Sequence, residues 1–363
     1  MEEILITVIS PWNIFSGLSI RKLFSWVNRK PDFFSWKPLP PVIYKGWEEV
    51  KIGKGRFYMG KKEFAGVFPY LVSPIDSRGE VKEKVLKSLV EHLIASGVHG
   101  LTPLGSTGEF AYLTWPQRRK IVEVVLEEAD ARVPVVAGVA HTSIREAVRQ
   151  AVELEKLGAD GILAIMDSYF PVSQEGVVSY FRSIAEAISC PVVLYTNPSF
   201  SSTNLSLEAI EALAAIPNIE YLKDASANTG NLLTVMNRVG AKIKIFSASA
   251  HIPLFVMMLG GVGWMSGPAC VIPQQSVELY ELARKKLWDE AILLQKRLWN
   301  INRIFQKYSL AACVKTCLEL QGFPVGDPIP PLQPLSGPAI KEVEEVLKGL
   351  GALYSGVMTE RRA

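Results

Sequence analysis

The chain has 363 residues, 48% of them hydrophobic and 21% charged, enough to bury a full-sized core as one large domain or two ordinary ones. A net charge of +3, with Lys and Arg scattered among acids, argues against a nucleic-acid-binding surface. Four cysteines without a CxxC pair and four histidines without HxxxH or HExxH argue against a disulfide framework and a zinc site, and fit a reducing cytoplasm.

Residues 1–62 read as an irregular extension. They hold Trp12, Trp26, Trp36 and Trp47, half of the chain's eight tryptophans, and the cluster "KPLPP", without sustained periodicity. Met59 is an alternative start. The opening "MEEILITVIS" has acids where a signal peptide has bases, and its apolar run is too short to span a bilayer.

From Gly66 onward, short β-rich runs alternate with amphipathic helical ones. "GVFPYLV" precedes a helix over 80–96. "VHGLTPL" leads through "GSTGEF" to a helix over 115–129. "VPVVAGV" and "DGILAIM" precede helices starting near Ser143 and Gln174. "PVVLYT" precedes a helix over 207–214, and "IEYLKD" one over 230–238. "KIKIFSA" precedes an apolar turn over 254–259, and "VGWMSG" closes a series of eight. "ILAIM" and "VVLYT" lack polar alternation, as strands covered on both faces do. Eight such repeats predict a (β/α)8 TIM barrel over residues 63–273, followed by a helical region over 274–363. The run "HIPLFVMMLGGVGWM" is interrupted by Pro253 and glycines, so it reads as core helix then buried strand, not a membrane span.

In such a barrel, chemistry belongs at the C-terminal ends of the strands. Gly105-Ser106-Thr107-Gly108-Glu109 offers two hydroxyls and backbone N–H groups to an anion such as a carboxylate, although a capped glycine turn has the same composition. Tyr169 and Tyr195 stand at other strand ends, where a phenol either packs or passes a proton. Lys223 ends "IEYLKD". A lysine inside a barrel mouth pairs with an acid or loses its proton to become a nucleophile; otherwise it is a solvated strand end. Lys223, Ser106, Thr107 and Tyr195 together supply what a Schiff-base enzyme needs: an amine, a carboxylate anchor and a proton shuttle.

The stretch 64–350 resembles the dihydrodipicolinate synthase/N-acetylneuraminate lyase family of pyruvate-dependent class I aldolases. "GSTGEF", "GADGILAI", "SYFPVSQEG", "VVLYTNP", "YLKDAS" and "GGVGWMSG" carry the likeness, in the family's order and spacing. The resemblance implies that Lys223 forms an imine with pyruvate or another α-keto acid, whose carboxylate Ser106 and Thr107 hold. Tyr195 shuttles the proton, helped by Ser106 and by Tyr169, which in the family reaches a neighbouring subunit's site. Met265 presents its backbone to the keto acid. It also implies an aldehyde as second substrate, no metal or cofactor, no nucleic-acid or membrane partner, and a homo-oligomer, tetramer or dimer.

Two positions depart from named members. Phe200 stands where the synthases carry an arginine for the aldehyde's carboxylate, and Ala250-His251 where the sialic acid lyases place an acidic pair. A 2-keto-3-deoxy acid aldolase is the main expectation. A 4-hydroxy-tetrahydrodipicolinate synthase using aspartate semialdehyde and an aromatic hydratase-aldolase are the alternatives. Outside this class stand a phosphate-binding barrel using "GGVGWMSG" and a non-catalytic keto-acid sensor. A dinucleotide site in "GVGWMS" is rejected because Pro268 follows where a helix should start.

Overall fold

The computed structural model describes residues 63–197, 204–226, 228–248 and 252–353. Seven parallel strands form one curled sheet: β1 (Gly66–Pro69), β2 (Val136–Ala140), β3 (Gly161–Ile165), β4 (Val192–Thr196), β5 (Ile219–Asp224), β6 (Lys244–Ser247) and β7 (Gly263–Ser266), in the order β1-β7-β6-β5-β4-β3-β2. The eighth expected strand, "VHGLTPL", fills the remaining gap. Thr102 N donates to Pro69 O at 3.0 Å and its carbonyl accepts from Leu71 N at 3.1 Å; on the other side Val136 N donates to Leu101 O at 2.9 Å. It pairs only through isolated bridges, because Pro103 has no N–H to give and Leu104 turns to φ 61°. The barrel is closed all the same.

Every residue of β2 and β3 is buried, as the apolar runs predict, because the interior lies on one face and helices on the other. Side-chain alternation sorts the two cores. Phe64, Phe68, Val136, Leu163, Val193, Tyr221 and Phe246 fill the interior, with Phe64 stacked on Tyr221 at 5.1 Å and Phe68 edge-on to Phe246 at 5.4 Å. Gly263 opens β7 at φ 151°, and a Cβ there would stand 2.0 Å from Gly66 O. Gly263 of "GGVGWMSG" therefore serves close strand packing. A short helix does begin at Pro268, which suits a first helical position, so the proline is no argument against a helix there.

The helices of the barrel are α1 (Glu83–Ala95), α2 (Trp115–Ala129), α3 (Ile144–Leu157), α4 (Gln174–Glu186), α5 (Leu207–Leu213), α6 (Thr229–Val239), α7 (Pro253–Met258) and α8 (Pro268–Val271). Helix α1 starts three residues later than the sequence suggests. Asp76 Oδ1 accepts from Arg78 N and Glu80 N, at 2.8 and 2.9 Å, and Ile75 bridges Val81, so this stretch is spent on a turn. Four more helices follow: α9 (Pro273–Arg284), α10 (Trp288–Lys307), α11 (Leu310–Leu320) and α12 (Gly337–Leu350). The end of α10 and the start of α11 supply Asn302, Phe305, Gln306 and Leu310 to the wall of a cavity at the strands' C-terminal ends. Among the described residues no helix is long and apolar enough to cross a membrane.

Candidate active site

Lys223 is the inward residue that follows Tyr221 on β5, with Leu222 facing the outer core. It is 3% exposed, and it is paired in register with Tyr195 of β4. Its Nζ stands over the Tyr195 ring, 3.9 Å from the centroid, and over the Tyr70 ring at 4.6 Å. Burial pulls the Lys223 amine below its ordinary pKa, opposed in part by Tyr195 and Asp224.

The Tyr195 hydroxyl lies 3.2 Å from Ser106 Oγ and accepts from Asn197 Nδ2 at 2.8 Å. Burial alone would raise this phenol. The neighbouring Lys223 charge and the hydrogen bonds from Ser106 and Asn197 outweigh it, leaving Tyr195 below its usual value. An amine made easier to deprotonate thus lies beside a phenol made easier to ionise.

Ser106 and Thr107 sit in a 3-10 turn, Ser106–Gly108. Thr107 is fully buried, and its Oγ1 has no hydrogen-bond partner among the described residues. That is a costly state unless a ligand completes it. These groups line a cavity of about 140 Å³ with Tyr70, Asn197, Met265, Ser266 and Gly267. It is far smaller than a drug-sized pocket and suits a keto acid of a few heavy atoms. A second cavity of about 680 Å³ shares Ser106, Tyr195 and Asn197 with it and continues outward along Phe110, Tyr112, Ile165, Met166, Phe305, Leu310 and Leu332.

The structure thus brings together Lys223, Tyr195, Ser106, Thr107 and Met265. Tyr169 is not among them: it lies on the loop before α4, 83% exposed, edge-on to Phe170 at 4.9 Å. Phe200 and His251 fall outside the described residues.

Sequence reading passed over three features. Tyr70 read as strand core in "GVFPYLV", although its parity with Phe68 points it inward. Asn197 was present in "YTNP", with no cue that its amide returns to the tyrosine. Glu109 and Lys315 form a buried ion pair at 2.6 Å, with side chains 0% and 1% exposed, that ties the hydroxyl turn to α11. Only the acidic end of "GSTGEF" hinted at it.

The model of the dihydrodipicolinate synthetase family matches residues 63–350. The chain belongs to that family. With membership comes the reaction type, a pyruvate-dependent lyase of the class I aldolase kind. Among curated relatives, the 4-hydroxy-tetrahydrodipicolinate synthase of Nitrobacter hamburgensis is 34% identical over 293 residues, 81% of this chain and 99% of that protein. The synthase of Methanopyrus kandleri is 32% identical over 81% of this chain and 99% of its own length. Among solved structures, YagE of E. coli K12, a family member in complex with pyruvate, superposes with a TM-score of 0.76 at 28% identity, covering 80% of this chain and 99% of that one. The dihydrodipicolinate synthase of Agrobacterium tumefaciens gives 0.75 at 28%, covering 79% and 98%.

Proposed function

We propose that the protein joins pyruvate, or a close α-keto acid, to an aldehyde, or cleaves such a bond, through an imine on Lys223. The observation that carries this is the buried Lys223 amine packed against the Tyr195 ring in a cavity walled by the Ser106 and Thr107 hydroxyls. The neutral amine adds to the keto carbon. A proton is taken up and the carbonyl oxygen departs as water, which leaves a cationic imine. Loss of a proton from the adjacent methyl gives an enamine, whose carbon attacks the aldehyde, and hydrolysis of the imine frees the product. Tyr195, hydrogen-bonded to Ser106, moves the protons, and the Thr107 hydroxyl and the turn's N–H groups hold the carboxylate. Borohydride added with pyruvate fixes the imine as a secondary amine. Mass spectrometry then finds the adduct on Lys223; an adduct elsewhere, or none, defeats the proposal.

The second cavity favours an uncharged, largely apolar aldehyde. Its described lining has no lysine or arginine and is largely apolar along Phe110, Ile165, Met166, Phe305, Leu310 and Leu332, and the Glu109 carboxylate is already paired with Lys315. Against this, the synthase relatives named above support an aldehyde such as aspartate semialdehyde, and the two are separated by assay. A homo-oligomer is supported by the Tyr169–Phe170 pair, 83% and 72% exposed, an apolar protrusion suited to a second copy. The buried free thiols Cys270, Cys313 and Cys317 support a reducing, cytoplasmic setting.

A further inference from the structure

We propose that Tyr70 is a further catalytic residue: with Tyr195 it forms an aromatic clamp on the Lys223 nitrogen that stabilises the cationic imine. This rests on the Schiff-base reading above. Tyr70 lies just beyond β1, inside the barrel, 2% exposed, on the wall of the smaller cavity. Its ring lies flat against Gly105, where a Cβ would come 2.5 Å from Cδ2, so the glycine before Ser106 is what lets the ring reach the lysine. Two ring faces then meet one nitrogen, at 4.6 and 3.9 Å.

The chemistry of that nitrogen decides what two ring faces do for it. An ammonium has three N–H groups and is strongly hydrated, so an apolar ring face replaces its water poorly. A cationic imine has one N–H and a positive charge spread over nitrogen and carbon. Ring quadrupoles suit that softer cation, and the Tyr70 ring adds no carboxylate that would hold the resting ammonium. In the ligand-free enzyme, burial works against the ammonium, so the rings meet less positive charge there than on the imine. The clamp therefore acts mainly on the intermediate, which is the condition for speeding a reaction rather than tightening a resting state.

Packing alone does not account for a tyrosine here. The Tyr70 hydroxyl has no partner among the described residues, and a phenylalanine would fill the space without that cost.

The test replaces Tyr70 by phenylalanine and then by mono-, di- and trifluorinated phenylalanines, which keep the ring's shape while draining its negative face. Borohydride trapping against pyruvate concentration gives the apparent imine constant for each. The expected result is a stepwise fall, about three- to thirtyfold from phenylalanine to the trifluoro ring, with Tm constant across the series. A constant that does not change with fluorination, or one that falls only in step with Tm, overturns the clamp. If the wild-type enzyme traps no pyruvate on Lys223, the Schiff-base reading fails and the clamp with it. Wild-type trapping with an unchanged series rejects the clamp alone.

Discussion

Lys315→Met removes the positive partner that the Glu109 carboxylate has among the described residues. Lys315 Nζ lies 2.6 Å from Glu109 Oε2 and donates to Asp327 O at 2.9 Å, while Glu109 Oε1 accepts from Ile329 N at 2.6 Å. With both side chains at most 1% exposed, the variant leaves a lone buried charge, which costs about 3–5 kcal/mol. At about 0.6 kcal/mol per kelvin of unfolding entropy for a domain of this size, Tm should fall by about 5–8 °C. Glu109→Gln with Lys315→Met leaves no charge to strand, so the double variant should lose less than the two single losses combined. Differential scanning calorimetry at one pH and salt concentration measures all four proteins. The consequence for the site is specific. Glu109, held at φ 53°, closes the turn that carries Ser106 and Thr107, so Lys315→Met should also weaken pyruvate trapping in protein that is still folded. A Tm within about 1 °C of wild type, or strictly additive losses, would refute the reasoning, because either means that the pair is solvated in solution.

Asn197→Ala deletes a donor to the Tyr195 oxygen, so that phenol should titrate higher. The limb of the pH–rate profile that reports its ionisation should move to higher pH, and an unmoved limb would remove Asn197 from the proton path. In a panel of aldehydes with pyruvate, benzaldehyde-like substrates should give higher kcat/KM than aspartate semialdehyde. The reverse order, with trapping on Lys223 intact, would show that the apolar lining of the larger cavity does not select the substrate. Phe170→Glu places a charge on an exposed apolar pair, and sedimentation velocity should show a smaller assembly than wild type; an unchanged coefficient places the contact elsewhere.

The order of strands and helices was legible because burial on both faces writes itself as uninterrupted apolar runs, as in "ILAIM" and "VVLYT". Where local chemistry overrides that pattern, the reading failed by a few residues. Asp76 captures two N–H groups and delays α1, and Pro103 with Leu104 reduces the expected strand at 98–104 to bridges. The candidate site residues showed for the opposite reason: Lys223, Ser106 and Thr107 are polar where an apolar residue would be cheaper. Their supports did not show. Lys315 looks like an ordinary helix lysine in "AACVKTCLEL", and nothing local joins it to a glutamate more than two hundred positions earlier. Tyr70 was hidden because an inward tyrosine and a core tyrosine have the same letter, and only the barrel's closure puts the ring beside the amine.

That asymmetry follows from how a barrel makes a nucleophile. Parity alone turns Tyr221 and Lys223 to the interior, and register alone sets Lys223 beside Tyr195. Neither makes the amine reactive. Reactivity needs burial deep enough to disfavour the ammonium, and a surrounding that accepts positive charge once carbon is attached. The first is provided by the interior aromatic layer that includes Tyr221, two residues before Lys223 on the same strand, and by the α10 and α11 residues that wall the cavity. The second calls for partners that tolerate a cation without pairing with it permanently, and ring faces at 3.9 and 4.6 Å fit that role where a carboxylate in contact would hold the amine as a resting ion pair. The same chain shows the contrast: buried Lys315 is paired with the Glu109 carboxylate, while buried Lys223 lies against two phenol rings, the surrounding that the proposed imine chemistry calls for.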